Sequence, residues 1–111
     1  MGRGKLSLHK FVELTSLNPA KLYGLYPRKG TIAIGADADI VLWDPLKHVS
    51  IANDALHHNV DYTPYEGRTV QGWPQHCLSR GELLVESGRY LEPEAGRGRF
   101  LAAGKPQYVD L

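Results

Sequence analysis

Glycine and proline constrain this chain more than any other residues. Twelve glycines and seven prolines interrupt 111 residues. Glycine supplies left-handed turns and proline removes a backbone donor, so their density predicts many turns and short strands rather than long helices. The length is that of one small domain, able to bury a core without disulfides or a metal. It is far too short for a complete (β/α)8 barrel or a two-domain enzyme. Thirteen basic side chains against twelve acidic ones leave a net charge of +1, which argues against broad electrostatic capture of nucleic acid or of a membrane surface.

Cys77 stands alone, so no internal disulfide is possible and a reducing cytoplasm is the expected compartment. No apolar run approaches the roughly 20 residues that span a bilayer. Met1 to Lys5 lack the apolar stretch of a signal peptide, and Leu6 occupies the Ser/Thr position of a myristoylation signal. Asn18, Asn53 and Asn59 all miss the glycosylation sequon.

Residues 7 to 17 read as an amphipathic helix. Ser7 is its expected N-cap, and Leu8, Phe11, Val12 and Thr15 recur at i, i+3, i+4 and i+7. Asn18-Pro19 is expected to end that helix and start a second, which Gly24 closes. From Arg28 onward the pattern turns to strands. Thr31 to Ile34 reads as a short strand or turn between Gly30 and Gly35. Ile40 to Trp43 is apolar at consecutive positions, which predicts a strand covered on both faces, and Asp44-Pro45 is expected to stop it. His48 to Ile51 reads as a further strand, Asn53 to Asn59 as a loop or one helical turn, and Asp61 to Glu66 as an ordered aromatic loop. Arg68 to Trp73 is a strand ended, or held at a sheet edge, by Pro74. Gln75 to Ser79 and Glu82 to Glu86 flank Arg80-Gly81 as a hairpin, and Arg89 to Leu91 is a last short strand. Beyond Pro93 the chain reads as an extended tail.

None of the candidate chemical motifs has workable spacing. His57, His58 and Asp61 form the best metal-like cluster, but adjacent histidines point to different sides of a strand or helix. His76-Cys77 fails as a nucleophile pair for the same reason. Gly96-Arg97-Gly98-Arg99 has too few arginines for an RNA-binding segment. Asp37, Asp39 and Asp44 sit where turns and strand ends favour aspartate and lack calcium-loop spacing. No glycine spacing matches a phosphate-binding loop or a dinucleotide fingerprint.

The stretch Asn18-Pro19-Ala20 … Gly24 … Lys29-Gly30-Thr31-Ile32 … Gly35-Ala36-Asp37-Ala38-Asp39-Ile40-Val41-Leu42-Trp43-Asp44 resembles the C-terminal signature of the amidohydrolase superfamily. Downstream, His58 to Gly67, Val70 to Pro74, Arg80 to Val85 and Gly96 to Leu101 look like the dihydropyrimidinase and D-hydantoinase group. The resemblance covers about Leu6 to Leu101 and leaves Ala102 to Leu111 unplaced.

The resemblance implies an α+β piece. Two short N-terminal helices from the end of a TIM barrel (1–27) precede a mainly antiparallel small sheet, or half β-sandwich (28–92). An extended tail (93–111) follows. Its structural signature falls on Asn18, Pro19, Gly30, Gly35, Ala38, Asp39, Asp44, Asp61, Tyr62, Tyr65, Gly67 and Gly81, with subunit contact expected from Arg97, Arg99 and Phe100. The family hydrolyses the cyclic amide of dihydropyrimidines or hydantoins through two divalent metals, usually zinc, and a bridging hydroxide. Its metal ligands and its substrate-binding Tyr, Ser and Asn lie in the barrel, upstream of anything matched here. Tyr62 and Tyr65 are not that tyrosine. No catalytic, metal or cofactor-binding residue is therefore carried onto this sequence.

The expectation is a structural and oligomerisation module, catalytically incompetent alone. Its partners would be the rest of an amidohydrolase chain or sister subunits, in a homo-oligomer, with neither nucleic acid nor membrane involved. The alternative is a non-catalytic assembly protein like the collapsin response mediators. Met1 points to a truncated or separately expressed reading frame, a processed or deliberately cut piece being the other origins.

Overall fold

The computed structural model describes residues 4–109, so the expectation resting on Met1 lies outside the described residues. The architecture is α+β: a short helical segment, then a four-stranded antiparallel sheet in the order β1-β2-β3-β4, then an extended tail. The sheet is open, with β1 and β4 as its edges.

Helix α1 (Leu8–Val12) starts as its sequence requires: the Ser7 hydroxyl accepts the Lys10 N–H at 3.1 Å. The expected break at Asn18-Pro19 does not occur. A π turn over Glu13–Leu17 joins α1 directly to α2 (Asn18–Leu22), so the two predicted helices form one segment. Asn18 N–H reaches back five residues to the Glu13 carbonyl. The wider turn, at the first positions of α2, takes up the donor that Pro19 lacks. Gly24, at φ +68°, closes the segment.

Strand β1 (Ile40–Ser50) absorbs two predicted strands. Asp44-Pro45 does not stop it; the Asp44 carboxylate accepts the N–H groups of Leu46 and Lys47 at 2.9 and 3.2 Å, and the register shifts between Asp44 and His48. The expected chain break is thus a bulge spliced into a continuous ladder. Strand β2 (Thr69–Ser79) likewise runs through Pro74, which lies opposite Trp43 at the other register shift of that ladder. On β2, strand β3 (Glu82–Glu86) pairs only with His76–Ser79, so Pro74 lies outside the second ladder and its missing donor is tolerated in a central strand. Arg80-Gly81, with φ +48° and +80°, makes the tight β2–β3 turn with the right-handed twist that two positive φ values favour. Strand β4 (Arg89–Tyr90) closes the order, and Asn53–Ala55 is a single 3-10 turn. Thr31 to Ile34 is turn rather than strand.

The tail folds back on the helical segment. Gly104 N–H donates to the Gly24 carbonyl at 2.7 Å and Gln107 N–H to the Lys21 carbonyl at 2.9 Å. The backbones meet so closely at Gly24 that a Cβ there would lie 2.1 Å from the Gly104 oxygen.

What this fold lacks is a core. Among the described residues only Ala20 and Asn18 are buried. The expectation that Ile40 to Trp43 is covered on both faces fails within this chain: Val41, Leu42 and Trp43 remain 44–48% exposed. One sheet layer is present among the described residues.

Candidate functional site

His57 and His58, expected to point to different sides, are separated by their hydrogen bonds. His57 Nε2 meets the Gly88 carbonyl at 3.2 Å, whereas His58 Nε2 meets Asn53 Oδ1 at 2.8 Å. Asp61 is exposed and joins neither. On β2, His76 accepts the Ser87 N–H at Nδ1, and Cys77 lies half-buried opposite Val41. Among the described residues no group of three His, Cys, Asp or Glu side chains is gathered as a metal ion requires. The two metals implied by the resemblance find no donor set among the described residues.

Two features remain that hold functional potential. The first is an ionic knot between the helical segment and the sheet. Lys29 Nζ lies 2.9 Å from Asp37 Oδ2 and bonds Asp39 as well, and Arg28 Nε reaches Asp37 at 3.2 Å. Asp39 also accepts the Arg80 backbone N–H at 2.9 Å, and Ala38 O accepts that of Gly81 at 3.0 Å. The hydrogen bond from Lys29 pulls the Asp37 pKa below its ordinary value. At Asp39 burial works the other way, but Lys29 and the Arg80 N–H outweigh it and the pKa is lowered too. Both carboxylates raise the pKa of Lys29, chiefly by accepting its hydrogen bonds. The three aspartates are therefore spent structurally: two hold the knot, and Asp44 holds the β1 bulge.

Of the signature glycines, Gly30 serves the same junction. Gly30, at φ +84°, lies so close to the helical segment that a Cβ would sit 2.5 Å from the Ala20 Cβ and 3.0 Å from the Ser16 carbonyl. Asn18 is buried with its amide 3.4 Å from Glu13, beside Pro19. Gly35 lies in the turn that Ala36 N–H closes on the Ala33 carbonyl. Gly67 sends its N–H to the Ile51 carbonyl, tying the aromatic loop to the end of β1. In that loop Tyr62 and Tyr65 are both exposed, the second beneath the Arg68 guanidinium.

The second feature is an open apolar cleft of about 1100 Å³ between the helical segment and the sheet. Leu8, Phe11, Val12 and Tyr23 line one wall, and Ile32, Ile40, Val41 and Trp43 the other. Phe11 and Trp43 meet edge to face across it, with ring centroids 5.6 Å apart. Such a cleft has the composition of a surface awaiting another packed element.

The residues expected to form subunit contacts divide. Arg97 turns inward, its Nε 2.7 Å from Glu82 and an Nη 2.8 Å from the Ser79 carbonyl. Arg99 is exposed, and Phe100 is 95% exposed. Sequence reasoning missed the Gly24–Gly104 crossing and the bond from the Arg80 guanidinium to the Arg97 carbonyl. Both join positions far apart in the chain, and no local pattern marks them.

The family model described as the amidohydrolase family matches residues 1–84. The chain belongs to this family. It is 48% identical to the D-hydantoinase of Ralstonia pickettii over 105 residues, which are 95% of this chain and 23% of that protein. Among solved structures it resembles a D-hydantoinase from Bacillus sp. AR9, with a TM-score of 0.90 and 40% identity over 96% of this chain and 23% of that one. It also resembles a dihydropyrimidinase from Brevibacillus agri, with a TM-score of 0.77 and 48% identity over 80% of this chain and 19% of that one. The chain thus spans less than a quarter of the length of these amidohydrolase relatives. Among the described residues no helix is long and apolar enough to cross a membrane.

Proposed function

We propose that this chain is the C-terminal β module of a hydantoinase- or dihydropyrimidinase-type cyclic amide hydrolase. It braces the catalytic barrel, supplies subunit contacts, and turns over no substrate alone. One observation carries this reading: a chain with a well-formed ionic knot and sheet buries, among the described residues, only Ala20 and Asn18. An open apolar cleft and a half-exposed run from Val41 to Trp43 are what remains of a module without the element it packs against. In this reading 1–27 are the terminal barrel helices, 28–92 the sandwich segment, and 93–111 the tail, with the exposed Phe100 reaching a sister subunit. The parent in this reading is a cyclic amide hydrolase assembled as a homo-oligomer, and the lone Cys77 suits a reducing cytoplasm. The signature residues from Asn18 to Gly81 act as the joint between barrel and sheet.

The test is direct. The purified chain, given zinc and either dihydrouracil or a hydantoin, is expected to release no ring-opened product. Robust metal-dependent hydrolysis would overturn the proposal.

A further inference from the structure

Where the tail crosses the β2–β3 turn it forms an open notch of about 220 Å³, and cations crowd its walls: Arg28, Lys29, Arg80, Arg97 and Arg99. Three carboxylates offset them. Asp37 and Asp39 take up Arg28 and Lys29, and Glu82 takes up Arg97. Among the described residues neither Arg80 nor Arg99 has a carboxylate within ion-pair distance. The notch therefore holds an excess of two positive charges on a chain whose net charge is +1.

The geometry is preorganised rather than merely basic. The Arg80 backbone is fixed by Asp39 and its guanidinium is anchored on the Arg97 carbonyl through one Nη. The same bond holds the tail segment bearing Arg99 and Phe100 across the opening. Arg80 keeps its remaining N–H donors for a ligand, and a guanidinium fork matches the oxygen spacing of phosphate and carboxylate. The size of the notch suits a ligand of a few heavy atoms, and two excess charges are too few for a polyanion.

We infer that this notch binds a small oxyanion, phosphate or carboxylate, clamped between the Arg80 and Arg99 guanidinium groups. The inference is independent of the proposed parent activity.

The experiment is calorimetric titration of the full chain, in the assembly state it adopts, with inorganic phosphate and separately with succinate. Sodium chloride of matched ionic strength is the control. Saturable binding of at least one probe, absent with chloride, is expected, and the tighter probe names the ligand class. Arg99→Gln removes an exposed side chain with no structural bond. It should weaken binding about tenfold, the scale of one charge-assisted contact. Arg99→Lys should recover part of that loss, and Arg89→Gln, on β4 outside the notch, should change nothing. Circular dichroism confirms that each variant keeps its fold. Non-saturable heats, equal response to chloride, or unchanged affinity in Arg99→Gln would each overturn the inference.

Discussion

Isolating this chain from any covering surface is the perturbation with the largest expected consequence. A folded protein of 12.3 kDa typically exposes about 6,100 Å², whereas this chain exposes 8729 Å². The excess, about 2,600 Å² on this chain alone, is at the upper end of one partner's share of a permanent subunit interface. Measured against an unfolded chain exposing roughly 17,800 Å², the fold buries about 51% of its surface, less than the roughly 60% of a marginal 60-residue domain. The radius of gyration agrees: 15.8 Å against about 13 Å for a compact domain of this length. The chain alone is therefore expected to self-associate, or to melt without a cooperative transition while binding a hydrophobic dye. Sedimentation velocity, a thermal melt and dye fluorescence read these outcomes together. A monodisperse 12.3 kDa monomer with a sharp melt and no dye binding would refute the area argument.

Other predictions concern the joint and the tail, measured on the assembled form. Gly30→Ala should cost about 2–4 kcal/mol in a denaturant melt, since a left-handed φ is combined with a clash on Ala20. Gly35→Ala, at φ +89° with open space around it, should cost only the backbone part, about 1–2 kcal/mol. Equal losses in the two variants would exclude the clash. Gly24→Ala should release the tail, seen as faster hydrogen exchange at the Gly104 and Gln107 amides with little change in β2. The lowered Asp37 and Asp39 pKa values stabilise the fold above the ordinary aspartate value of 3.8, and that stabilisation is lost as pH falls through the folded values. The raised Lys29 value acts oppositely: its contribution is complete below 10.5 and is lost as pH rises through the folded value. Lys29→Met should lower the melting temperature between these limits and flatten both limbs. A variant curve parallel to the parent's from pH 2 to 12 would count against the knot.

How much of this was legible in the sequence depended on the range of each interaction. The Ser7 cap, the Gly24 closure and the Arg80-Gly81 turn were readable because each is decided within about four residues. The same local rules failed at Asn18-Pro19 and Asp44-Pro45, each expected to end an element, and at Pro74, expected to end a strand or mark a sheet edge. In every case a neighbour pays the cost of the missing donor: a π turn, an aspartate closing a bulge, and a strand too short to require the bond. The knot was half visible. Lys29, Asp37 and Asp39 stood in the quoted pattern, but the partner that fixes Asp39 is the backbone of Arg80, forty-one residues on. The apolar run Ile40 to Trp43 is the most instructive disagreement. Four consecutive apolar residues predict cover on both faces, yet Val41, Leu42 and Trp43 stay nearly half exposed. Evolution of such a run is understandable only if its cover exists in the functional assembly. The sequence pattern and the exposed area therefore argue for the same missing surface from opposite directions, one from residue type and the other from geometry.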